Sequence, residues 1–185
     1  MSREQTVQAA IYAIVGLALV ISVVTDLRTR KIKNFVTYPT ILIALALRGA
    51  FEGWGTPMGP GLLSGLIGAA AGGGFFLILA RMGGMGAGDV KLMAAVGAGV
   101  GFPLVLICLI FVGLVGGIEA VVVLIYKGRL FKTLGGMGRS ALQATRLMKP
   151  DEAPRERTKV PYGVAIAVGT VWGVWWYLSQ PPLPM

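Results

Sequence analysis

The stretch "LMAAVGAGVGFPLVLICLIFVGLVGGIEAVVVLIY", residues 92–126, decides how many times this chain crosses a membrane. It contains one charged residue, Glu119, and as a single helix it would be roughly 50 Å long. The hydrocarbon core of a bilayer is only about 30 Å thick and needs about 20 helical residues. Because proline ends or kinks a helix, "GFP" at 101–103 predicts a break. We therefore predict two spans here, at about 89–101 and 103–126.

The rest of the chain contains more apolar stretches of similar length. We predict four further spans, at 7–25, 35–51, 56–80 and 160–178, with Arg48 near the membrane interface. Of the 185 residues, 55% are hydrophobic and only 14% are charged, whereas about a quarter of a soluble domain is charged. The sequence thus predicts an all-α polytopic membrane protein with six transmembrane helices, forming one integral membrane domain over residues 1–185.

The basic residues predict the orientation of these helices. Fifteen of the 17 Lys and Arg fall in the loops after the first, third and fifth spans, and only Arg3 and Arg48 do not. The positive-inside rule places those loops, including 127–159, in the cytoplasm and both termini on the extracytoplasmic side. The net charge of +9 is then mainly an orientation signal, and the basic loops are expected to contact membrane lipids. No soluble basic fold remains to bind nucleic acid.

Residue types exclude several kinds of site. The chain has no histidine and one cysteine, Cys108. Ser–His–Asp and Cys–His catalysis, His-ligated metals and Cys-based zinc sites are therefore excluded. We expect no metal and no cofactor. If the protein is an enzyme, its acid–base groups are carboxylates, lysines or tyrosines.

Two acids, Asp26 and Asp89, are predicted to lie at the same cytoplasmic face, at the ends of the first and fourth spans. Acids embedded in a membrane protein are costly and usually mark function. In an aspartic protease one carboxylate takes a proton from water and the other polarises the scissile carbonyl. The glycines of "GMGAGDVK", 84–91, would leave room for an extended peptide.

Structural interpretations of these acids remain open beside the catalytic one. Asp89 would serve as a first-turn acid that stabilises its helix through the helix dipole. Asp26 would pair with Arg28 or Arg30. We interpret Glu119, which lies deeper in the fifth span, as structural.

Three segments together resemble a known family. "GAGDVK" at 86–91 resembles the GxGD signature of intramembrane aspartyl proteases. "TDLRTRKIKN" at 25–34 and "KVPYG" at 159–163 resemble the first-aspartate segment and the last-helix motif of prepilin peptidases, the type IV leader peptidase family. The resemblance implies an aspartic endopeptidase of the cytoplasmic (inner) membrane that removes the basic leader of type IV prepilins or pseudopilins at the cytoplasmic face. It implies catalytic roles for Asp26 and Asp89, and supporting roles for Gly86, Gly88, Lys91, Asn34, Pro161, Tyr162 and Gly163.

The chain departs from the family pattern in two places. Longer members carry a cysteine-containing N-terminal region and also N-methylate the product. This chain resembles the short form found with tight-adherence (Flp-type) pilus systems, so methyltransferase activity is not expected. Family members often read Ile-Pro-Asn where this sequence has Ile32-Lys33-Asn34. Expected partners are a prepilin and pilus or secretion machinery. The alternatives are an archaeal-type preflagellin peptidase, a non-catalytic membrane scaffold and a small transporter.

Overall fold

The computed structural model describes residues 3–82, 85–126 and 162–180, and across those ranges it is helical with no strand. Its six α-helices are α1 Arg3–Thr29, α2 Asn34–Leu47, α3 Leu62–Arg81, α4 Ala87–Val100, α5 Leu104–Tyr126 and α6 Tyr162–Ser179. A π-helical turn, Arg48–Glu52, continues α2. The prediction of an all-α protein is confirmed for the described residues. The predicted loop 127–159 and Pro161 lie outside them.

Four of the described helices are long and apolar enough to cross a membrane: α1, α2 with its π-helical turn, α3 and α5. Helix α4 has 14 residues, fewer than the about 20 needed to span the hydrocarbon core. The break predicted at 101–103 is present, because α4 ends at Val100 and α5 begins at Leu104. The count of six spans and the orientation of the termini stay predictions.

Helix α3 begins at Leu62, six residues later than the sequence analysis predicts. The preceding residues form a loop in which the N–H of Leu62 donates to the carbonyl of Gly53 at 3.0 Å. Within this loop Gly55 and Gly61 have φ of 65° and 129°, values that favour glycine. Their backbones touch, since a Cβ on Gly61 would lie 2.5 Å from the Cα of Gly55. Residues 56–61, "TPMGPG", are uncharged, so the predicted span extended into them, although their prolines and glycines are typical of a turn.

The chain divides into two compact units, residues 1–116 with 161–185 and residues 117–160. Of the second unit the structure describes only residues 117–126, the end of α5, so the structural role predicted for Glu119 and the single domain stay predictions. In the first unit the apolar core surrounds α4, which is buried without a break from Ala95 to Val100.

Helices α3 and α4 cross through glycines. A Cβ on Gly68 would overlap the carbonyl oxygen of Gly97, and a Cβ on Gly97 would overlap the carbonyl oxygen of Gly68. One turn further along α3, a Cβ on Gly72 would lie 2.7 Å from the carbonyl oxygen of Met93. The two helices therefore meet backbone to backbone, the arrangement that small residues permit in membrane helices.

The position of Arg48 near the membrane interface stays a prediction, and the structure adds that its side chain is buried within the protein, only 1% exposed. Its guanidinium donates to the carbonyl oxygens of Ala98 and Gly99 at the end of α4. The physical reason is that the last carbonyls of a helix have no partner within the helix. An interior donor satisfies them here.

Candidate active site

Asp26 lies on the buried face of α1. Buried residues recur along this helix at helical spacing, including Val15, Leu19 and Ser22, and the same stripe reaches Asp26, which is 6% exposed. Its Oδ2 accepts a hydrogen bond of 3.0 Å from the backbone N–H of Gly163. That N–H belongs to the first turn of α6, where donors lack partners within the helix and the helix dipole favours an anion.

The structure contradicts the interpretation that Asp26 pairs with Arg28 or Arg30. Among the described residues, the ion pair that forms is Arg48 with Glu52, and both Arg28 and Arg30 are exposed. Helix α1 ends just beyond, with Arg30 at a positive φ of 51°. The burial of Asp26 therefore has no charge-pairing explanation in this segment.

Asp89 lies in the first turn of α4 and is 8% exposed. Its Oδ2 accepts the N–H of Gly86 at 2.9 Å, while its own N–H donates to the carbonyl of Gly86 at 3.2 Å. The bond from the N–H of Gly86 to the Asp89 carboxylate is one half of a capping box; the other half needs an N-cap side chain, which glycine lacks. The alternative interpretation of Asp89 as a first-turn acid is thus confirmed, and the same bond fixes one carboxylate oxygen beside the glycine loop.

The two acids lie within electrostatic range of each other, although 63 positions separate them in the sequence. Their helices are neighbours, since α1 packs against both α4 and α6. Gly88, beside Asp89, touches the segment after α1, since a Cβ on it would lie 2.9 Å from the Cβ of Ile32. A Cβ on Gly163 would lie 2.8 Å from Oδ2 of Asp26. The structure therefore places each acid against a glycine predicted to support the site, Gly86 for Asp89 and Gly163 for Asp26.

The predicted supporting pair Asn34 and Lys91 is also in contact. Lys91 Nζ donates to Asn34 Oδ1 at 3.0 Å and lies 5.0 Å from the ring centroid of Tyr38. This links the start of α2 to the turn of α4 that follows Asp89. Sequence reasoning missed Tyr38, whose signal is its position one helical turn after Asn34. The functional roles of all these residues stay predictions.

The remaining predicted residues occupy the same end of α6. Tyr162 is its first residue and is partly buried, and its ring faces Gly116 of α5, whose added Cβ would lie 3.6 Å from the ring. Pro161 lies outside the described residues.

Lys33 occupies the position at which family members often have proline. Lys33 precedes α2 with φ −85° and ψ 134°. These angles are close to the extended conformation that proline adopts. A lysine therefore holds the geometry that a proline would impose.

Chemically, the site offers a pair of buried carboxylates held by backbone N–H groups. Across the described ranges, no group of three or more His, Cys, Asp or Glu side chains could hold a metal ion. Two carboxylates suffice for general acid–base catalysis on a bound water.

Comparison with known proteins identifies the family. The model of the type IV leader peptidase family matches residues 13–138, a range that contains both Asp26 and Asp89. Comparison with curated proteins and with solved structures gives no significant match. The family match covers well over half of the 185 residues. With its long apolar helices and this match, the chain belongs to the type IV leader peptidase family.

Proposed function

We propose that this protein is an aspartic endopeptidase that removes the leader peptide from type IV prepilins or pseudopilins at the cytoplasmic face of the cytoplasmic membrane. Family membership supports peptidase activity. The observation that carries the aspartic mechanism is the approach of two buried acids, Asp26 and Asp89, each with one oxygen bound by a backbone N–H.

The reaction follows from the properties of such a pair. Two carboxylates at short range resist ionising together, so they share one proton. The ionised member takes a proton from a water molecule while the protonated member donates a hydrogen bond to the scissile carbonyl oxygen. Water then attacks the carbonyl carbon, and the tetrahedral intermediate collapses as the leaving amine takes a proton from the pair. Gly86 and Gly163 restrain the two carboxylates through Oδ2 during these steps.

The surroundings of the pair suit an extended peptide. A substrate backbone must leave its helix to expose the scissile bond, and exposed Gly86 together with Gly88 keeps side chains away from Asp89. The basic segment after Asp26 includes Arg28, Arg30 and Lys31, all exposed. We assign to these side chains contacts with anionic lipids or acidic substrate residues. Unchanged cleavage after reversal of the three charges would exclude the substrate role.

The decisive experiment uses purified protein, a synthetic prepilin and mass spectrometry of the products. Asp26→Asn and Asp89→Asn are each expected to abolish cleavage, because an amide cannot exchange the proton, while the protein still inserts into membranes. Gly16→Ala is a matched control, since a Cβ there meets no atom within 4 Å. Full leader cleavage by both asparagine variants would end the proposal.

The same assay separates the alternatives. A preflagellin substrate in a parallel reaction tests the archaeal-type activity, which would use the same pair. A scaffold would retain its role in cells after both aspartates are replaced, so loss of pilus assembly in the asparagine variants, with normal protein levels, contradicts that alternative. A small transporter uses embedded acids itself, and leader cleavage by the purified protein contradicts it.

A further inference from the structure

A buried ion pair lies at the end of α4 opposite Asp89. Arg48 and Glu52 are each 1% exposed at their side chains, with Nη1 of the arginine 3.0 Å from Oε2 of the glutamate. Nε of Arg48 donates to the carbonyl of Ala98 at 3.1 Å and Nη2 donates to that of Gly99 at 2.7 Å. One guanidinium thus binds three acceptors, two of them on the last turn of α4.

The length of α4 explains why these bonds matter. Fourteen residues make a helix of about 21 Å, shorter than the about 30 Å hydrocarbon core. With its first turn at the predicted cytoplasmic face, its last carbonyls would end within the hydrocarbon core, where lipid offers no donor and each unsatisfied group costs several kcal/mol. Arg48 supplies donors and a positive charge at the negative end of the helix dipole. Gly65 makes room for it, since a Cβ there would lie 2.8 Å from Cδ of Arg48.

Glu52 joins this anchor to the loop before α3. Its Oε2 also accepts the N–H of Gly61 at 2.7 Å. Its other oxygen, Oε1, is buried without a hydrogen-bond partner in the described residues. A buried pair with an unsatisfied oxygen contributes little net stability, which favours a role in fixing geometry.

We propose that Arg48 is a positioning residue for the peptidase reaction, an inference that rests on the proposed function. Arg48 holds the C-terminal carbonyls of α4 and thereby sets the position, along the helix axis, of the first turn that carries Asp89. The glycine crossing at Gly68 and Gly97 fixes how closely α3 and α4 approach. This glycine contact would offer little resistance to a shift of α4 along its axis, whereas the directional hydrogen bonds from Arg48 oppose such a shift.

The first test is Arg48→Lys. Lysine keeps the charge, but its ammonium cannot reproduce the planar fork that binds three acceptors. We expect kcat for prepilin cleavage to fall about tenfold with KM unchanged, because small displacements of a catalytic group cost rate. Arg81→Lys is the matched control, since Arg81 is exposed in the last turn of α3, whereas Arg3 stacks on Phe51 of the same π-helical turn as Arg48. A wild-type kcat in folded Arg48→Lys protein would overturn the proposal.

A double variant separates positioning from stability. Arg48→Met with Glu52→Gln removes both charges, so no unpaired buried charge remains. The carbonyls of Ala98 and Gly99 still lose their donors, so kcat is measured at a temperature at which thermal unfolding shows both the wild type and the double variant to be folded. We expect kcat to stay low, because the carbonyls of α4 have lost their anchor. A wild-type kcat in the folded double variant would overturn the proposal.

A third readout needs no substrate. Ala87, exposed at the start of α4, is replaced by cysteine in a Cys108→Ala background, and its labelling by a water-soluble maleimide is timed in membranes. Arg48→Lys is expected to change the labelling rate, and Arg81→Lys is not. If no form of the protein cleaves prepilin, the proposed function fails while this measurement still decides the position of α4. Equal labelling rates would refute the anchor.

Discussion

Gly163→Ala tests the active-site geometry with a single added carbon. The new Cβ would lie 2.8 Å from Oδ2 of Asp26, 3.1 Å from its Cβ and 3.3 Å from its Cγ. Increasing the distance between this Cβ and Oδ2 from 2.8 Å to 3.4 Å, where ordinary van der Waals contact begins, requires the two atoms to move apart by about 0.6 Å. That displacement acts directly on the carboxylate and on the 3.0 Å bond that holds it.

The expected effect is on rate more than on folding. Alanine is a better helix former than glycine by up to about 1 kcal/mol, so α6 gains local helix propensity. A misplacement of about 1 Å at a reacting group costs on the order of 100-fold. We therefore expect prepilin cleavage to slow by tenfold to 100-fold, which corresponds to about 1.4–2.7 kcal/mol in the barrier.

The assay measures initial cleavage rates of a synthetic prepilin by purified protein, with thermal unfolding in the same detergent. Gly113→Ala is the control, because a Cβ on Gly113 of α5 meets no atom within 4 Å. Wild-type rates for both variants would refute the geometry of the Gly163–Asp26 contact. Wild-type unfolding with a slow Gly163→Ala enzyme would support it.

Three further predictions follow from other contacts. Gly88→Ala is expected to slow cleavage because its Cβ would lie 2.9 Å from the Cβ of Ile32; adding Ile32→Gly should restore the rate, and no recovery would contradict the clash. Lys91→Met removes the 3.0 Å bond to Asn34 and is expected to slow cleavage about three- to tenfold, measured against Lys33→Met as an exposed control. Gly68→Ala forces a carbon onto the backbone of α4 and is expected to lower the free energy of unfolding by roughly 1–3 kcal/mol, measured in detergent by thermal or denaturant unfolding.

The helices were predictable because each coincides with a largely apolar stretch of the sequence. The break at 101–103 separates α4 from α5 as predicted, since proline acts on the chain regardless of distant packing. The start of α3 was not predictable from hydropathy. The loop before it closes through backbone contacts of Gly55 with Gly61, and the sequence signal that was available is Pro57 and Pro60 beside these glycines.

The candidate site was predictable only in part. The resemblance identified Asp26, Asp89 and Gly163, but it did not show that the glycine N–H binds the first acid. The burial of the Arg48 side chain was not predicted, because an arginine at the end of an apolar run is typical of an interface anchor. Its burial depends on how early α4 ends. The available sequence signal was Glu52 four residues later, a spacing that permits an ion pair on one helix face.

The glycine crossing of α3 and α4 limits which helices can be displaced to admit a polypeptide. Pulling these two apart would leave a void that nothing can refill, because Gly68 and Gly97 have no side chains to rearrange. We therefore expect a substrate strand to enter by displacement of α1 or α6, which are joined by the hydrogen bond from the N–H of Gly163 to Asp26. By that route, substrate binding and the loss of the hydrogen bond between Gly163 and Asp26 would occur in the same movement.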